Sequence, residues 1–113
     1  MAPASILLLT TAALAAASGQ LLFKVGAHEK HHLIEFLNIY ILVGLCLYAL
    51  STAIWIYTLS IEKLVNVFAF TGLTFVLVYL GGALLLNETV SRTGVGGVLF
   101  VLFGLFLIAY YGA

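Results

Sequence analysis

The sequence predicts an all-α fold, an integral membrane bundle of four transmembrane helices in a single domain spanning residues 1–113. Composition, the placement of the charges, and the lengths of the runs between them carry that prediction. Hydrophobic residues make up 65% and charged residues 7%, with a mean hydropathy of +1.27. A soluble domain has about 45–50% apolar and about 25% charged residues. This chain has too few charges to cover a surface in water, and disorder needs low hydrophobicity. Residues 4–23, 37–60, 65–87 and 94–112 contain no Asp, Glu, Lys or Arg and run for 19 to 24 residues each. About 20 helical residues cross a hydrocarbon core of about 30 Å, whereas barrel strands are shorter and alternate apolar with polar.

The first run, 4–23, imitates a signal peptide at Ala13-Leu14-Ala15 and Ala15-Ala16-Ala17, but residues 1–5 lack the basic residues of such a leader. A retained helix is expected, closed by Lys24 and Gly26. Small pairs four residues apart, Ala12/Ala16 and Ala15/Gly19, let backbones approach closely in lipid, or leave volume for a substrate. A polar connection, His28-Glu29-Lys30-His31-His32, leads to the second run, 37–60. Ile61-Glu62-Lys63 is a short turn into the third run, 65–87. Asn87 to Gly94 leads into the fourth, 94–112, with Ser91 or Thr93 as candidate N-cap. Connections this short make sequential helices antiparallel neighbours. Lys24, Lys30 and Arg92 then share one side, against Lys63 and the N-terminal amine on the other. The positive-inside rule places both termini outside the cytoplasm, and a bias this small also allows insertion in both orientations.

Several functions are excluded. Zero net charge without a basic run argues against nucleic-acid binding. His28-Glu29-Lys30-His31-His32 matches the H-E-x-x-H zinc pattern, but it falls in a loop without a third ligand, so neither protease chemistry nor a metal is expected. The single Cys46 gives no disulfide framework, and no cofactor is implied. No carboxylate lies inside a span, which argues against a proton relay.

The remaining polar groups form stripes. Ala13, Ala17, Gln20 and Lys24 share a face of the first helix, and a lysine at that depth either snorkels to the interface or binds something. Tyr48, Thr52 and Trp55 form a stripe on the second helix, and Asn66, Phe70 and Thr74 form one on the third, beside Thr71 and Gly72. Converging from three helices, such stripes would line a cavity. Glu88 stands at the membrane interface, where it either terminates the third helix or pairs with a base. Gly97 and Gly104, seven apart on the fourth helix, make a shallow groove suited to crossing a second copy.

Ser18-Gly19-Gln20-Leu21 ahead of Lys24, Trp55 with Leu59, and Asn87-Glu88-Thr89-Val90-Ser91 before a Gly-rich last helix resemble the drug/metabolite transporter superfamily. Its four-helix members, EamA-like and small multidrug resistance-like, are half-transporters that dimerise. The multidrug branch carries a first-helix glutamate where this chain has Ala16, and third-helix aromatics at positions held here by Val67 and Phe70. Its dimer motif matches Gly97 and Gly104, but its proton/drug site does not carry over. Gly19-Gln20-Leu21, Lys24, Trp55, Glu88 and Ser91 look closer to the flippase subunits for aminoarabinose-phosphoundecaprenol. The resemblance implies a multi-pass protein of a bacterial or archaeal cytoplasmic (inner) membrane, not an enzyme. It implies translocation of a polyprenyl-phosphate-linked sugar, or a related amphiphilic lipid, by a homodimer or a heterodimer with a paralogue. Substrate contacts are then expected from Gln20, Lys24, Thr52, Trp55, Phe70, Thr74, Glu88 and Arg92, and dimer contacts from Gly97 and Gly104. The alternatives are an exporter of a small cationic or neutral solute and a non-transporting subunit of a membrane glycosyltransferase complex.

Overall fold

In the computed structural model, which describes residues 1–112, each apolar run becomes one helix: α1 (Pro3–Ala27), α2 (Ile39–Leu59), α3 (Leu64–Leu84) and α4 (Arg92–Tyr111). All four are long and apolar enough to cross a membrane, and the chain is a multi-pass membrane protein. Pro3 opens α1, where its missing N–H is no loss. α1 runs one turn past the expected end at residue 23. Lys24 thereby falls in its last turn, where a cation suits the helix dipole. α2 is capped by Asn38, whose Oδ1 accepts from Ile41 N at 3.2 Å, and α4 by Ser91, whose Oγ accepts from Gly94 N at 2.9 Å. Thr93 therefore lies inside α4, and α4 starts two residues before residue 94. α3 stops at Leu84 because Asn87 turns into the left-handed region (φ 55°), and the Glu88 N–H returns to Gly82 O at 3.0 Å.

α1 lies between α2 and α3, and α4 packs on the far side of α3. The first and second helices, like the third and fourth, are the expected neighbours. α2 and α3 touch only sparsely despite their tight turn, because α1 is wedged between them. The molecule is a slab measuring 46 × 35 × 17 Å, too thin to close around anything.

The α1–α2 seam is made of small residues at every seventh position. Ser5, Ala12, Gly19 and Gly26 are buried on α1, and Gly44, Ser51 and Thr58 are the buried residues of α2. Antiparallel register sets Gly26 beside Asn38, Gly19 against Gly44 and Ala12 against Ser51. Asn38 Nδ2 donates to Gly26 O at 2.9 Å, and Ser51 Oγ to Ala12 O at 2.7 Å. A seven-residue repeat keeps one stripe facing its partner along the whole length, and small side chains let the backbones meet. Leucine supplies the α1–α3 contact: Leu21 fills the space over Gly81, while Leu9 packs with Val67 and Phe70.

The other end of the bundle is tied by Glu62. From the α2–α3 turn its carboxylate accepts the Ala2 N–H at 3.3 Å. The Ser5 hydroxyl, fully buried and short of a complete hydrogen bond, and then the Ala2 N–H hold this carboxyl below the usual carboxylate range.

Candidate functional site

A groove of about 270 Å³ opens between α2 and α3, where those helices fail to meet. Its floor is α1: Leu9, Ala12, Ala13 and Ala16, with Gln20 toward the Lys24 end. The alanines matter because they present almost no side chain, so the helix backbone itself sets the depth. Tyr48, Ser51, Thr52 and Trp55 form one wall, and Phe68, Phe70, Thr71 and Thr74 the other. No Asp, Glu, Lys, Arg or His side chain lines the groove.

The polar groups divide into two sets. Thr52 Oγ1 donates to Tyr48 O at 2.9 Å, Thr74 Oγ1 reaches Phe70 O at 3.4 Å, and Ser51 is spent on Ala12. These hydroxyls are satisfied by backbone. Among the described residues, the Gln20 carboxamide, the Tyr48 hydroxyl and the Trp55 indole N–H have no hydrogen-bond partner. In hydrocarbon an unsatisfied polar group costs several kcal/mol, about 2–7 for an amide or hydroxyl. The groove therefore presents three unmet polar groups on apolar walls. Such a surface orients an amphiphile by a few hydrogen bonds and holds it by apolar contact.

Five of the residues expected to contact substrate, Gln20, Thr52, Trp55, Phe70 and Thr74, line this one groove. Lys24, Glu88 and Arg92 do not. Lys24 lies one turn beyond Gln20 on α1, exposed, and Arg92 is the exposed first residue of α4 at the same end of the bundle. The Glu88 carboxylate folds over Gly82, where an added Cβ would meet Oε2 at 3.5 Å, so it closes the end of α3. The stripe on α3 is split: Asn66 is buried but is not part of the groove lining, and Phe68 takes a place on the wall. Sequence reasoning missed Phe68, Leu9 and Ser51. The Ser51 signal was available as its place in the Gly44, Ser51, Thr58 repeat.

The face of α4 that carries the paired glycines is unpartnered within the chain. A Cβ added at Gly97 or Gly104 meets nothing within 4 Å. In contrast, Gly94 faces the Tyr79 hydroxyl and Gly72 faces Val101, which marks the α3 side of the same helix. The histidine loop does not form the helix its zinc motif requires: residues 28–32 are non-helical, with a turn at His28-Glu29 and a bend at His32, Glu29 is left-handed (φ 56°), and His28 Nε2 lies 3.6 Å from Glu29 Oε1.

No family model and no solved structure matches the chain. Among curated proteins it is similar to the probable 4-amino-4-deoxy-L-arabinose-phosphoundecaprenol flippase subunit ArnF of Photorhabdus laumondii subsp. laumondii. The two are 38% identical over 71 residues, which cover 61% of this chain and 56% of that protein. The resemblance to lipid-linked aminosugar flippase subunits read from the sequence is thus met by a named relative, and the chain spans just over half of that relative's length.

Proposed function

We propose that the chain is half of a membrane transporter that moves a polyprenyl-phosphate-linked sugar, or a related amphiphile, between the leaflets of a bacterial cytoplasmic membrane. The observation that carries this reading is the groove: free of Asp, Glu, Lys, Arg and His side chains, apolar-walled, open on one face, and holding the unmet polar groups of Gln20, Tyr48 and Trp55. The name of the similar flippase subunit points the same way. In this reading the lipid chain lies along Leu9, Phe68 and Phe70, and Gln20, Thr52, Trp55 and Thr74 meet the polar part. Lys24 and Arg92, at the Gln20 end, receive the phosphate, since basic side chains pair strongly with phosphate oxygens. Glu88 at that end meets a sugar amine. No covalent chemistry is needed, so the protein acts as a transporter and not as an enzyme.

A slab 17 Å thick leaves the groove open, so in this reading the working unit is two chains, a second copy or a paralogue covering the groove, with the Gly97/Gly104 face of α4 as a separate contact between the two. Alternating access follows when two halves rock about a site between them. Proteoliposomes carrying a fluorescent polyprenyl-phosphate sugar provide the test. Wild-type protein is expected to move the label across the bilayer, and Lys24→Met to lose that activity while still assembling. Full activity of Lys24→Met contradicts the phosphate role. Transport of small cations without movement of the lipid label contradicts the flippase reading and favours the exporter.

A further inference from the structure

The connection between α1 and α2 is more apolar than a solvated loop. After His32 the chain forms one short 3-10 turn, Leu33–Phe36. Leu33 is 89% and Ile34 72% exposed, and Leu37 and Ile39 are exposed beside them. Ile34 and Leu37 are three apart, so in 3-10 geometry they share a face. Glu35 turns the other way, and its Oε2 accepts the His31 N–H at 3.3 Å. The polar groups His28, Glu29, Lys30, His31 and His32 all precede the turn.

The depth of this turn follows from α2. Its 21 residues extend about 31 Å, which fills a hydrocarbon core of about 30 Å and puts Ile39 at the boundary. Both ends of the loop are pinned at that level, because Asn38 Nδ2 donates to Gly26 O and to Glu35 O, each at 2.9 Å. The apolar face is therefore continuous with the membrane-spanning surface. We propose that residues 33–39 are an interfacial anchor: Leu33, Ile34 and Leu37 enter the acyl boundary of one leaflet, with the histidine segment on the headgroup side. Lys24 and Lys30 balance Glu29 and Glu35, so apolar contact and not charge holds the turn to lipid. Interfacial segments of this kind bury their apolar face about 5–10 Å into the headgroup/acyl boundary.

The test uses the full chain in phosphatidylcholine vesicles, with Trp55→Phe as background. A tryptophan introduced by Leu33→Trp is expected to emit at shorter wavelength than one introduced by His31→Trp. It should be quenched by lipids brominated along their chains, resist acrylamide, and keep that behaviour at high salt. Equal acrylamide quenching at the two positions overturns the anchor. So does protection of Leu33→Trp that disappears as the protein is diluted into excess lipid, which would assign the face to a second copy. If the tryptophan variants fail to fold, Leu33→Cys and His31→Cys in a Cys46→Ala chain give an independent reading in native membranes. A membrane-impermeant maleimide is expected to label His31→Cys and spare Leu33→Cys, and equal labelling overturns the proposal.

Discussion

The replacement of Gly19 by alanine tests the seam on which the groove is built. A methyl group on Gly19 would lie 2.8 Å from the Gly44 carbonyl oxygen and 3.4 Å from Tyr48 N, both backbone atoms. Even a favourable carbon–oxygen contact needs about 3.3–3.6 Å, so the helices must part by about 0.5–0.8 Å. A gap of that size forfeits about a quarter to a half of each van der Waals contact it opens, and overpacking by one methyl costs about 1–3 kcal/mol. The helix-propensity gain of Gly→Ala opposes this, and Gly96→Ala removes it from the comparison: a Cβ there meets nothing within 4 Å. The difference between the two variants is then the clash alone, about 1–3 kcal/mol, or about 5- to 150-fold in the folded-to-unfolded ratio. The assay is SDS titration of protein in mild detergent, followed by Trp55 fluorescence. The Gly19→Ala midpoint should fall well below that of Gly96→Ala. Equal midpoints would refute the direct backbone contact and the seven-residue register derived from it.

Other perturbations separate stability from assembly. Glu62 has its pKa lowered by the Ser5 hydroxyl and the Ala2 N–H, so its folded value lies below the reference of 4.5. Stability from this contact is present above that reference and is lost as pH falls through the folded value. Thermal unfolding in detergent should therefore lose this component below about pH 4.5, and Glu62→Gln should flatten that acid limb. Gly97→Leu adds bulk to a face that touches nothing within the chain, so the monomer should fold as before while crosslinked dimer disappears. A dimer undiminished in Gly97→Leu places the contact elsewhere.

The helices were legible because charges punctuate the sequence: none falls inside the four runs, and each helix sits on one run. Their ends were less so. Lys24 was read as a stop, yet a cation suits the last turn of a helix, so α1 continued to Ala27. The groove was legible as converging stripes, and Gln20, Thr52, Trp55, Phe70 and Thr74 do meet there. What the stripes could not give was which face of α3 looks inward. Asn66 and Phe70 share a helical face by spacing, but Asn66 is buried outside the groove lining while Phe68 takes a place on the wall. The 3-10 turn at Leu33–Phe36 went unread because the histidines before it dominate the composition of the loop.

Native mass spectrometry of the protein, extracted gently from its own membrane, tests the central claim most directly. The account predicts a dimer that retains a polyprenyl-phosphate species, and loss of that species from Gln20→Leu with the dimer intact. A dimer that carries the lipid equally in Gln20→Leu, or a monomer bound to a larger enzyme and free of the lipid, would contradict it.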